Sequence, residues 1–265
     1  MTGLRMNLSH GPLSAHKDWL DMIHAVGIPQ LLIDLQGPEL RIGTLPQPLV
    51  LEPGQSLRLG QGGVPCPAAL VHAARPGQNL LLDDGRLLVQ VAGADGAALQ
   101  CTVVRGGTLQ SRKSLAAPGL TVASPTLTEE DLQNLQLAGA CGVTGVMLPF
   151  VRNKEDLLAL RGALKEAGAG EIQVFAKIEN MQGVESIKEL LPYCDHVVIA
   201  RGDLGNDMPL WKLPGVQKRL ARECREAGKP FMVVTQMLDS MHERAVPTRA
   251  EVLDIYNAVL DGVSS

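Results

Sequence analysis

The stretch from Ile172 to Gly205, "IQVFAKIENMQGVESIKELLPYCDHVVIARGDLG", decides the fold. A short apolar run, "IQVFAKIEN", gives way to the helical pattern "GVESIKELL", and a second apolar run, "HVVIARGDLG", follows. Strand, helix and strand at this spacing predict a βαβ unit with parallel strands. The unit recurs on either side, with "GVTGVMLPF" and "NKEDLLALRGALKEAG" before it and "VQKRLARECREAG" and "PFMVVTQML" after it. Thr128 with Asp131, and Asn153 before "KEDLL", predict helix starts, while Gly168 and Gly228 predict helix ends. Nearer the N-terminus, "GLRMNLSHG", a helix from about Ser14 to Ala25 and "QLLIDLQGPELRIG" repeat the pattern. Together they predict an α/β chain built as a TIM-type (β/α) barrel.

Between residues 44 and 117 the texture changes. Pro and Gly punctuate short alternating runs such as "SLRLG", "NLLLDDGRLLVQV" and "ALQCTVV", with no helical period. These predict a small all-β domain inserted into a barrel made of residues 1–43 and 118–265. The barrel strands number about six, whereas a closed barrel has eight and takes about 250 residues before inserts. The expectation is therefore an incomplete barrel.

The 265 residues suffice for a real core, and a 45% apolar content with only 3% aromatic residues suits buried parallel strands. A formal charge of −4 with interspersed signs gives no footprint for nucleic acid or an anionic membrane surface, so a small molecule is the expected partner. Five scattered cysteines form no CxxC pair, which speaks against a disulfide framework or a zinc site. No apolar stretch approaches the roughly 20 residues of a membrane helix, and no signal-peptide pattern opens the chain. The expected setting is the cytoplasm.

Chemistry gathers at the predicted strand ends. In "RMNLSHG", Arg5 to Gly11, a period of two puts Arg5, Asn7 and Ser9 on one face and Met6 and Leu8 on the other. Such a face belongs either to a barrel mouth or to a solvated edge strand. Lys177 and Glu179 are likewise two apart and point the same way, as a functional pair or as a plain salt bridge. Asp203 falls on the loop past the next strand, where with Glu179 it could hold a divalent cation, or it could cap the following helix. Gly202 has no side chain to keep a ligand from the backbone amides. Thr235 ends a further strand, and His10 either meets a nucleotide or caps a turn. Cationic groups beside paired carboxylates suggest phosphoryl chemistry, although neither GxxxxGK[ST] nor GxGxxG is present.

These stretches, with "DLQGPELRIG" (Asp34 to Gly43), "LLLDDG", "SRKSLAAPG", "LTEEDLQNL", "PFVRNKEDLLALR", "TQMLDSM" and "PTRAEVLDIYNAVLDG", run in the order of one family. The chain resembles the pyruvate kinases. The resemblance implies a phosphoenolpyruvate-binding barrel with an inserted β lid, and conversion of phosphoenolpyruvate and ADP to pyruvate and ATP. It implies that Lys177 stabilises the transferring phosphoryl group, that Arg5 contacts phosphate, and that Thr235 serves the proton-transfer step. Arg5, Lys177, Gly202, Asp203 and Thr235 would then line the substrate. Glu179 and Asp203 would hold Mg2+ or Mn2+. Asn7, Ser9, Asp34 and the Leu35 carbonyl would hold K+, with Glu39 matching the acid that accompanies K+ dependence. Asn7, His10, Arg41, Asp84 and Lys113 would serve the nucleotide. Leu35 and Gln36 depart from the family's Thr-Lys, and Pro149 stands where a serine is usual.

The resemblance also places a first barrel strand before Met1, a last one after Ser265 and a regulatory domain beyond. It therefore raises the expectation of an open wall covered by a second copy or a partner chain. Three readings stand against one another: an active phosphotransferase, a metal-dependent 2-oxo acid lyase or decarboxylase, and a non-catalytic effector- or partner-binding remnant. The retained insert with Asp84 and Lys113 argues against the second.

Overall fold

The computed structural model describes residues 3–120, 122 and 124–265. The chain divides into two compact units, one of Met1–Pro38, Thr126–Leu204 and Trp211–Ser265, the other of Glu39–Pro125 and Gly205–Leu210.

The first unit is built on six parallel strands: β1 (Leu4–Asn7), β2 (Leu31–Asp34), β3 (Gly145–Leu148), β4 (Gln173–Ile178), β5 (His196–Ala200) and β6 (Phe231–Val234). Their order in the sheet is their order in the chain. Each pairs in parallel with the next, as in Asn7 with Asp34, Met147 with Phe175, Lys177 with Val198 and Ala200 with Val234. Helices separate them, as the βαβ pattern requires. The helix Glu129–Ala138 opens on a capping box, with Thr128 Oγ1 accepting from the Asp131 amide at 3.1 Å and Asp131 accepting from the Thr128 amide at 2.9 Å. The helix Lys154–Glu166 is capped by Asn153, and Gly168 beyond its end takes the left-handed φ of 68°. The result is an incomplete TIM-type (β/α) barrel.

One face of this sheet buries Ile33, Val146, Val174, Ile178, Val197 and Ile199. The other carries Leu32, Met147, Phe175, Val198, Met232 and Val234 as a separate apolar layer. Period two carries the second face on to Asp34 and Lys177, so its charges collect at the C-terminal strand ends, where barrel enzymes place their sites. Gly145 sits within the apolar layer, where an added Cβ would lie 2.5 Å from Leu32 Cδ2 and 2.7 Å from Phe175 Cε2. Phe175 cannot swing aside freely, because its ring stacks on His196 at 4.2 Å. Gly145→Val is therefore expected to destabilise the unit by about 1–3 kcal/mol through overpacking, read as a lower urea midpoint.

Two outer helices present apolar faces to solvent. Trp19, Met22 and Val26 are exposed on Lys17–Val26, and Val252, Leu253, Tyr256, Val259 and Leu260 on Arg249–Leu260. No helix among the described residues is long and apolar enough to cross a membrane.

The second unit is antiparallel. Its five-stranded sheet runs Ser56–Gly60, Ala98–Arg105, Leu87–Ala94, Asn79–Leu82, Leu115–Ala116, beside a two-stranded pair of Leu49–Leu51 and Gly107–Leu109. Leu57, Leu59, Leu80, Val89, Leu99 and Val103 fill its core. One six-residue helix, Ala68–Ala73, departs from the all-β expectation. In the "DDG" turn Asp83 and Asp84 both adopt φ of 52°, a region Asp tolerates better than most residues.

Candidate active site

Arg5, Asp34, Lys177 and Glu179 form one charged chain across the mouth of the parallel sheet. Arg5 on β1 donates its Nε to Asp34 Oδ2 at 3.0 Å. Lys177 Nζ lies 3.3 Å from Asp34 Oδ1 and 2.9 Å from Glu179 Oε1. The two carboxylates are almost wholly buried, at 3% and 1% side-chain exposure, while Arg5 is half exposed. Burial alone would lower the lysine's proton affinity, but Glu179 and Asp34 outweigh it and hold Lys177 above its ordinary value. The ammonium is thus charged at any physiological pH. Asp34 Oδ1 is buried and faces the Lys177 ammonium, while Oδ2 takes Arg5.

Glu179 completes its shell through the backbone, with Oε2 accepting from the Phe150 amide at 2.9 Å. Burial first, and then the nearby charge of Asp203, push its carboxyl above the usual range against the pull of Lys177. A buried carboxyl whose proton affinity is raised by a second carboxylate nearby suits a hard divalent cation. Among the described residues no group of three or more His, Cys, Asp and Glu is assembled for a metal. A cation held by Glu179 and Asp203 would fill the rest of its shell with substrate and water.

Thr235 follows β6 with an exposed side chain and φ of 77°, and Gln236 and Leu238 are also left-handed. For a β-branched residue that conformation costs on the order of 1–2 kcal/mol, so something must hold it. Arg201 Nη2 donates to the Thr235 carbonyl at 2.8 Å while its Nη1 pairs with Asp254 at 2.7 Å. Farther along, Glu251 accepts from the Ser240 and Thr248 amides, both at 2.7 Å, tying the segment to the start of Arg249–Leu260. Hydrogen bonds from Ser240 and then Thr248 hold the Glu251 carboxyl down at about 2, from an ordinary 4.5. Because the folded value is depressed, its stabilisation is present above pH 4.5 and is lost as pH falls toward 2. Glu251→Gln is expected to flatten the acid side of the stability curve in that window, measured by urea unfolding at stepped pH.

The second unit brings Arg41, Asp84 and Lys113 together around Ser114. Arg41 bridges Ser114 across an antiparallel contact, Ser114 donates its hydroxyl to Asp84 Oδ1 at 2.7 Å, and Lys113 pairs with Asp83 at 2.8 Å. Arg41 also donates to Glu39 at 2.8 Å and to the Arg112 carbonyl at 2.8 Å.

Three expectations need correction. Ser9 does not share the strand face with Arg5 and Asn7: β1 ends at Asn7, whose Oδ1 accepts the Ser9 amide at 3.1 Å and turns Leu8–His10 into a 3-10 turn. Gly202 and Asp203 lie not on a loop but in the helix Arg201–Asp207, which begins directly after β5. Thr235 stands one residue past its strand. The β1 strand is an edge strand among the described residues, yet Arg5 is pinned to Asp34.

Other contributors were not singled out from the sequence. Asp83, the first acid of "DDG", is 7% exposed beside Lys113, and two successive acids at a turn that seals a core were the available signal. Arg201, Asp254 and Glu251 lie in the quoted "ARGDLG" and "PTRAEVLDIYNAVLDG" stretches; the partners of Arg201 and Asp254 are distant in sequence, whereas Glu251 closes a capping box with Thr248 three residues before it, a T-x-x-E spacing the sequence carries. The Phe150 amide leaves no trace in a sequence.

Known proteins match this chain along its whole length. Residues 1–265 match the family model for the pyruvate kinase barrel domain. A pyruvate kinase of Chlamydia pneumoniae is 35% identical over 279 residues, covering 100% of this chain and 58% of its own length. One from Mycobacterium intracellulare is 36% identical over 280 residues, covering 98% and 58%, and one from Staphylococcus aureus (strain MRSA252) is 36% identical over 281 residues, covering 100% and 48%. The chain spans about half the length of the curated relatives it matches. A barrel-domain match over every residue, with relatives above 30% identity along the same stretch, leaves one conclusion: the chain belongs to the pyruvate kinase family.

Proposed function

We propose that the chain carries a pyruvate kinase reaction site, moving the phosphoryl group of phosphoenolpyruvate to ADP to give pyruvate and ATP. The observation behind this reading is Lys177, a largely buried ammonium held between Asp34 and Glu179 at the strand ends with Arg5 beside it. Phosphoryl transfer asks a protein for positioning and charge neutralisation and for little covalent chemistry. Arg5 and Lys177 serve the phosphate oxygens, and Lys177 offsets the charge that builds on the transferring group. Gly202 and Asp203 border the substrate. Thr235 stands beside the enolate that remains and serves its protonation. Glu179 and Asp203 are the residues that would hold Mg2+ or Mn2+, and the bound cation neutralises charge on the phosphoryl oxygens. Asn7, Ser9, the Asp34 carboxylate and the Leu35 carbonyl are the groups offered to K+. Asn7, His10, Arg41, Asp84 and Lys113 are assigned to the nucleotide, with Asp83 fixing Lys113.

The test is a coupled assay for pyruvate formation from phosphoenolpyruvate with Mg2+, run with and without ADP and K+. Turnover that requires ADP is expected. Nucleotide-independent turnover of oxaloacetate would instead make the chain a lyase, and metal-dependent ligand binding without turnover would make it a binding protein.

A further inference from the structure

We infer that Asp156 is a positioning residue for Glu179, acting through the backbone of Phe150; the inference rests on reading Glu179 as a ligand of the divalent cation. Glu179 has two partners of different kinds, the Lys177 ammonium on Oε1 and the Phe150 amide on Oε2, each at 2.9 Å. Phe150 delivers that amide with φ of 54°, a conformation an aromatic residue leaves unless its neighbours forbid it.

The neighbours are fixed by a buried carboxylate. Arg152 donates its amide, Nε and Nη2 to Asp156 at 2.9, 3.0 and 2.8 Å, and the Thr126 hydroxyl donates to the same carboxylate. Asp156 is only 3% exposed. Burial would raise its carboxyl, but the Arg152 and Thr126 hydrogen bonds outweigh that and keep it below the ordinary value. Between Phe150 and Arg152, the Val151 carbonyl accepts from Asn180 Nδ2 at 3.2 Å, and a Cβ on Gly183 would come within 2.5 Å of that oxygen. Residues 151 and 152 are therefore immobilised, one by the turn after β4 and one by Asp156. The Phe150 peptide follows from them.

Groups that orient a metal ligand from outside the coordination shell commonly govern affinity by about 10- to 100-fold. Asp156 does this at one remove, and its charge is what holds all three Arg152 donors. Mn2+ binding to the whole chain, without substrate or nucleotide, reads the effect by isothermal titration calorimetry alongside urea unfolding. Asp156→Asn is expected to weaken Mn2+ binding by about tenfold. Adding Phe150→Gly is expected to recover most of that loss, because glycine holds a left-handed φ without constraint. A role confined to capping the helix Lys154–Glu166 would not be rescued by a change at residue 150.

Glu179→Gln sets the reference, with binding lost. Wild-type affinity in Asp156→Asn, or no recovery in the double variant, would overturn the inference while a loss in Glu179→Gln preserves the cation reading. Equal affinity in wild type and Glu179→Gln would overturn that reading and the inference with it. Should Asp156→Asn not fold, Arg152→Gln carries the same expectation and the same overturning result.

Discussion

Lys177→Met is expected to lower kcat for pyruvate formation by at least about a thousandfold, the scale seen when a preorganised charge aimed at a phosphoryl transition state is removed. The effect is large because Lys177 serves two carboxylates at once, lying 3.3 Å from Asp34 and 2.9 Å from Glu179. Methionine fills a similar volume but leaves both acids in a low-dielectric mouth with one cation fewer. Breaking a buried pair in this way costs about 3–5 kcal/mol, and the lower end applies here because Asp34 keeps Arg5 and Glu179 keeps the Phe150 amide. Urea unfolding beside the assay separates the two losses. The pH dependence follows from the raised lysine: its stabilising contribution is full below 10.5, the ordinary value, and fades as pH rises through the higher folded value. A folded Lys177→Met variant with wild-type kcat would dismiss the proposed role of the ammonium.

Arg201→Leu should cost about a hundredfold in kcat while leaving KM for ADP nearly unchanged, the order expected for a displacement of about 1 Å at a reacting centre. Arg201 is 11% exposed and joins the Thr235 carbonyl to Asp254, so it holds a β-branched residue at φ of 77°. Leucine keeps the packing of the stem and removes the fork. Thr235 is then free to relax toward an ordinary conformation, and its hydroxyl leaves the place from which it would serve the enolate. Asp254 is about one-third exposed, so its lost partner costs little stability, on the order of 1 kcal/mol. Arg201→Lys, with charge but no planar fork, should fall between. A kcat within about threefold of wild type in Arg201→Leu would remove the clamp from the account.

Much of the architecture was legible because parallel strands and their covering helices write simple periods. The expectation of about six barrel strands meets six parallel strands, β1 to β6. Period two also foresaw that Lys177 and Glu179 share a face, and their ion pair follows from it. The same rule failed two residues past Arg5, where a short polar side chain competed with the ladder: Asn7 captured the Ser9 amide and ended the strand. Asp203 was misplaced for a related reason, since no spacer residue separates β5 from the helix that holds it. What sequence could not disclose is the support around the charges. The Phe150 amide, the Thr235 carbonyl and the Val151 carbonyl are backbone groups that any side chain would carry, and only the fold assigns them partners.

Because the strands lie side by side in chain order, the parallel sheet can grow as the polypeptide is synthesised, each new strand docking on the one just made. One step breaks this rhythm. β3 joins β2 only after an intervening stretch of about 110 residues, against roughly 20 to 30 at the other steps. Loop closure grows only logarithmically, by about 0.6 kcal/mol for each doubling, so the longer route adds little more than about 1 kcal/mol. The pairing of β3 with β2 is thus the step of longest sequence separation in the parallel sheet, and the loop it closes contains the whole antiparallel sheet.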